Sequence, residues 1–146
     1  MSLHIEQRES EGIVILDLKG PITLGHGDLE LRDRLPSLHQ SGMVNIVLNL
    51  KDVTDIDSTG LGTLVFGLAR LRKAGGRLVL LNLNRSHLEL FLLTRLAIAF
   101  ELFDEEQEAV SSFFPGRAVK RFDLLNFVQH QDDRNSNYAA GVAATC

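Results

Sequence analysis

Cysteine is almost absent from this chain. Among 146 residues only Cys146 carries a thiol, so no internal disulfide can form and a packed core has to supply the stability. That economy fits a reducing compartment. Net positive charge is missing too. Fifteen Lys and Arg stand against nineteen Asp and Glu, a formal net charge of −4, whereas a dedicated nucleic-acid binder carries a basic excess. Residues 1–30 show no basic start followed by an unbroken apolar run, so no signal peptide is expected. The most apolar stretch, LELFLLTRLAIAFELF, is interrupted by Arg95 and stopped by Glu101, which disqualifies it as a membrane span. The five histidines, His4, His26, His39, His87 and His130, are scattered without the i, i+4 spacing of a helical metal pair. No metal and no cofactor is expected, and the chain reads as soluble and cytoplasmic.

What is present is a regular alternation. Apolar residues make up 45% of the chain, enough for one core. LHIEQRESEGIVILDL reads as two strands around a turn at Ser10 to Gly12, the second nearly all apolar and so covered on both faces. GPITLGHG reads as a loop. Asp28 is placed to cap a helix carrying Leu31, Leu35 and Leu38, with Pro36 expected to kink it or end it early. MVNIVLNL is the next buried strand. A helix with Leu61, Leu64, Val65, Leu68 and Leu71 on one face follows and stops at Gly75-Gly76. RLVLLNL is a further strand. Ser86 and Glu89 form a capping-box pattern opening a helix through about Leu96. FELF reads as a short strand and Glu105 to Ser112 as a last helix.

This order predicts an α/β fold: a mixed, mostly parallel sheet of about five strands with crossover helices and an N-terminal antiparallel hairpin. One domain is expected over 1–112. Residues 113–146 read as a C-terminal extension, with a short helix over 117–130 and a disordered polar tail. Val119, Phe122, Leu125 and Val128 form an apolar stripe there, which either docks on the domain or forms a partner or self-association helix; docking is the favoured expectation because an exposed stripe invites aggregation. The cations Arg70, Arg72, Lys73 and Arg77 gather at a helix C-terminus, where they offset the helix dipole, a reading favoured over an anion or nucleic-acid patch.

The chemistry concentrates in DVTDIDSTGLGTLV, residues 52–65. Structurally, Asp57 or Ser58 can cap the helix, worth about 1 kcal/mol, with Gly60 and Gly62 permitting close packing. Enzymatically, Asp55-x-Asp57-x-Thr59 matches the D-x-D-x-T pattern of haloacid-dehalogenase-type phosphatases. That pattern normally follows its strand directly, whereas KDVT intervenes here. As a switch, Ser58 at a helix start is well presented for phosphorylation, which adds about −1.5 to −2 charges beside Asp55 and Asp57. At ~6 Å and an effective dielectric of ~20 each unit charge pair costs about 2–3 kcal/mol before screening. The fold tolerates that on an exposed loop, while a partner packed over it does not.

VNIVLNLKDVTDIDSTGLGTLV, with RKAGGRLVLLNL and LELFLLTRLAIAFELFDEEQEAV, resembles the STAS domain of bacterial anti-sigma factor antagonists. The resemblance covers about residues 3–112 and is most specific at the D-S-T-G-L-G core. It implies the STAS fold and a partner-switching role without catalysis. The unphosphorylated antagonist binds an anti-sigma factor that is also a serine kinase and so releases a sigma factor. Phosphorylation at Ser58 ends binding, and a separate phosphatase resets the protein. Asp57 then presents the serine, and Thr59, Gly60, Leu61 and Gly62 form the contact surface. Thr23 stands where many antagonists carry an acidic residue facing the partner. Similar domains also serve, without a kinase, as scaffold modules in stress-sensing and lipid-transport complexes.

Overall fold

The computed structural model describes residues 2–95 and 99–120. Their elements are β1 (His4–Ser10), β2 (Ile13–Ile22), α1 (Asp28–Gln40), β3 (Asn45–Ile56), α2 (Ser58–Lys73), β4 (Arg77–Leu81), α3 (Arg85–Leu93), β5 (Glu101–Phe103) and α4 (Glu106–Ser111). They build one five-stranded sheet in the order β1-β2-β3-β4-β5. β1 is antiparallel to β2, and every other pair is parallel. The hairpin turns through Glu11 and Gly12, both at positive φ, as a two-residue connection between right-twisted strands requires.

Because each parallel strand lies beside its predecessor, right-handed crossovers place α1, α2 and α3 on one face. There Leu31, Leu35, Leu64, Leu68 and Phe91 pack on Leu16, Ile46, Leu48 and Leu80. The opposite face, with Ile13, Ile15, Val47, Val79, Leu81 and Phe103, is covered by Ala109 and Val110 of α4 and by Phe113, Phe114 and Val119. The extension is held there by charge as well. Arg77 lies 4.5 Å from the Phe113 ring centre and Arg117 4.1 Å from that of Phe114. Arg117 also pairs with Glu11 at 2.9 Å. Val119 therefore docks as expected. Residues 117–120 are not helical, which corrects the start of the expected helix 117–130; the rest of that helix, the other stripe residues and the polar tail lie outside the described residues.

Other expectations need correction. β2 runs through Gly20-Pro21 to Ile22, and β3 through Lys51–Asp55 to Ile56. Between Asp17 and Lys19, and again between Gly20 and Ile22, β3 advances three residues while β2 advances two. These two bulges destroy the period-2 alternation by which a strand is recognised. Pro36 sits inside α1, which continues to Gln40 because Leu35 and Leu38 remain anchored in the core. Asp28 is the first helical residue, and Gly27 holds the N-cap position without a side-chain bond. α3 is capped by Asn84, whose side chain accepts from the His87 N–H at 2.8 Å, so Ser86 lies within the helix. That helix ends at Leu93; Leu96 is outside the described residues.

Candidate functional site

Ser58 opens α2 immediately beyond the carboxyl end of β3 and is exposed to solvent. Asp57 is the helix cap. Its Oδ1 accepts the Gly60 N–H at 2.8 Å and its Oδ2 accepts the Leu24 N–H at 3.0 Å. The carboxylate thus ties the start of α2 to the loop between β2 and α1. These backbone donors, Leu24 first and then Gly60, hold the Asp57 carboxyl below the usual carboxylate range.

That loop is itself braced. Thr23 and His26 exchange backbone hydrogen bonds of 2.8 and 2.9 Å, and the Gly25 N–H donates to the buried Asp28 carboxylate at 3.0 Å. Gly27, at φ +96°, lies against the Pro21 carbonyl, 1.9 Å from where a Cβ would stand. The result is a short rigid loop whose tip carries Leu24, 70% exposed, beside Ser58. Thr23 is half-buried, and its hydroxyl faces the His26 carbonyl at 3.4 Å.

The two glycines of the motif have different roles. A Cβ at Gly60 would stand 1.8 Å from the Ile22 carbonyl oxygen, so close packing demands glycine there. At Gly62 a Cβ would meet nothing within 4 Å. Gly62 is exposed in a helix interior, where glycine costs about 1 kcal/mol relative to alanine. The fold does not require it. Leu61 is buried and Thr59 half-buried, so the outward surface at the helix start consists of Ser58, Gly62 and the edge of Thr59.

Asp55 lies on β3, exposed. Because the strand reaches Ile56, the expectation that KDVT separates the aspartates from their strand is wrong. Asp57, however, has both oxygens committed to backbone donors, which leaves it badly placed to shuttle a proton. Among the described residues no group of three His, Cys, Asp or Glu side chains could hold a metal ion, and no helix is long and apolar enough to cross a membrane.

Sequence reasoning passed over Leu24 and Phe66, both exposed beside this surface. The signal for Phe66 was available, since it lies off the apolar stripe of α2. Leu24 gave only a lone apolar residue in a glycine-rich loop.

Comparison with known proteins agrees with this architecture. The family model for the STAS domain matches residues 4–109. The anti-sigma-B factor antagonist of Bacillus subtilis is 32% identical over 96 residues, 66% of this chain and 86% of that protein. A crystal structure from Thermotoga maritima, of a protein put forward as an anti-sigma factor antagonist, superposes with a TM-score of 0.69 at 25% identity. It spans 74% of this chain and 92% of its own. The phosphorylated form of the Bacillus cell fate determinant SpoIIAA shares the fold, with a TM-score of 0.59 at 20% identity over 75% of this chain and 99% of its own.

Proposed function

This chain belongs to the STAS domain family, and we propose that it acts as an anti-sigma factor antagonist switched by phosphorylation at Ser58. In this reading the unphosphorylated protein binds an anti-sigma factor that is also a serine kinase, freeing a sigma factor in the cytoplasm. The protein is the substrate of that kinase and of a resetting phosphatase, not a catalyst. The relative at 32% identity is named for antagonism of an anti-sigma factor, which supports the role.

The observation that carries the switch is the setting of Ser58. Its hydroxyl is exposed on the first residue of α2, while the preceding Asp57 fixes that helix start against the Leu24 loop. A kinase meets a rigid, accessible acceptor, and the same surface is preformed for a partner. A phosphate here adds about −1.5 to −2 charges next to Asp57, whose own charge is already spread over two backbone donors. The fold keeps its cap. A partner covering the site has to bury an unpaired dianion at a cost of roughly 2–5 kcal/mol, about thirty- to several-thousand-fold in affinity.

Intact mass after incubation with ATP and host cytosol tests this. One phosphate is expected on the wild type and none on Ser58→Ala. If an extract that phosphorylates another antagonist leaves this protein unmodified, the switch is wrong. The chain is then a scaffold module of the same fold, with Ser58 merely part of a capped helix start.

A further inference from the structure

The outward surface that starts at Ser58 continues along α2. Residues four apart stack on a helix face, and Ser58, Gly62, Phe66 and Arg70 follow that spacing. Phe66 is 55% exposed, and the Arg70 guanidinium lies 5.5 Å from its ring centre. Beside them a narrow cleft with about 20 Å³ of free space opens between α2 and α1, walled by Arg32, Leu35, Pro36, Phe66, Gly67 and Arg70. Gly67 lets the helices approach: a Cβ there would stand 2.6 Å from Leu35 Cδ1. Arg32 is held at the rim by its contact with Thr63 Oγ1 at 3.3 Å.

The charge of this cleft is one-sided. From Ser58 to Lys73 α2 contains no Asp or Glu, although the chain as a whole is acidic. On α1 the acids Glu30 and Asp33 line a separate depression against β1, with Leu3 and Ile5. The cleft receives Arg32 and His39 instead.

Resting on the antagonist reading above, we propose that this α1–α2 cleft is the specificity-determining half of the partner surface. Its occupant is an acidic segment of the partner protein that lays an apolar side chain on exposed Phe66 at the mouth of the cleft and sets carboxylates on Arg32 and Arg70. A second copy of this chain is a poor occupant, because a two-fold contact would set these cations against their own counterparts. Exposed Gly62, which the fold does not require, removes the side chain that would separate the Ser58 end of the surface from the cleft.

The test is an amide NMR titration of the full chain with two blocked synthetic peptides, one bearing leucines at i, i+4 among glutamates, the other with lysines replacing the glutamates. The glutamate peptide should shift Gly62, Phe66, Gly67 and Arg70, more weakly at high salt. Phe66→Ser and Arg70→Glu should each weaken it at least about tenfold, and Arg70→Glu should improve the lysine peptide. Both side chains are on the surface, and thermal unfolding verifies that the variants remain folded. No shifts up to about 2 mM peptide, a limit set by millimolar affinity, overturns the proposal, as do equal shifts with both peptides or shifts confined to other faces. No sigma-factor regulator and no phosphate enters the titration. Its failure therefore leaves the Ser58 switch standing, and failure of Ser58 phosphorylation leaves the cleft result standing.

Discussion

The Asp57 carboxylate accepts the backbone N–H of Leu24 at 3.0 Å, although 33 residues of chain separate them. A single side chain therefore couples the N-terminus of α2 to the loop after β2, and both flank Ser58. Replacing Asp57 with Asn keeps an oxygen for Gly60 but cannot accept from Leu24 as well with the same geometry. Asp57→Ala should lose about 1 kcal/mol from the cap, read by urea unfolding, and Leu24 amide exchange should accelerate in both variants. The folded Asp57 pKa is depressed, so its contribution is complete above the unfolded value near 3.9 and is lost as pH falls through the folded one. Leu24 protection that is indifferent to the Asn and Ala changes would refute the coupling.

Gly60 and Gly62 should respond oppositely to alanine. At Gly60 the new methyl meets the Ile22 carbonyl, backbone that cannot rotate aside, so Gly60→Ala should cost about 3 kcal/mol or more. Gly62→Ala meets open space and should stabilise by about 0.5–1 kcal/mol. Denaturant midpoints of the two variants decide the matter, and a destabilised Gly62→Ala would contradict the assignment of Gly62 as free of packing constraint.

His87 should make the fold sensitive to mild acid. The ring is buried in α3, and among the described residues Nδ1 has no hydrogen-bond partner. Burial pulls its pKa down, and the opposing Asp55 charge and Thr54 backbone on β3 do not compensate. Stability from neutral His87 is thus fully present above the unfolded value near 6.5 and declines as pH drops from there toward the folded pKa, by at most about 1.4 kcal/mol per pH unit. The urea midpoint should fall between pH 7.5 and 5.0 in the wild type, and His87→Leu should flatten that change. An equal decline in the variant would assign it elsewhere.

The segment after α4 should act as part of the core. Phe113 and Phe114 pack on the face formed by Ile15, Val47, Val79 and Phe103 and carry Arg77 and Arg117 on their rings. Both rings are half-buried, so the double change to Ser should cost about 2–4 kcal/mol. Arg117→Ala, which removes an exposed pair with Glu11, should shift unfolding far less, because solvent screens such a pair. Calorimetric unfolding of the two variants checks the ranking.

Much was legible in the residues alone. Continuous apolar runs such as IVIL and RLVLL identify strands buried on both faces, and the Leu61 to Leu71 stripe with Gly75-Gly76 identifies α2, because burial and helix periodicity leave direct marks on sequence. A polar helix start at Asp57 or Ser58 was legible for the same local reason, and the structure assigns the cap to Asp57. The extent of β3 was not, since two bulges defined only by pairing with β2 erase its alternation. Local sequence could not choose Asn84 over Ser86 as the α3 cap, because a cap depends on where the chain leaves the preceding strand. Nor could it separate Gly60 from Gly62, or show that Leu24 reaches Asp57 and that Arg32 meets Thr63 across α1 and α2. Those are contacts between distant segments, and only the packing of helices on the sheet brings them together.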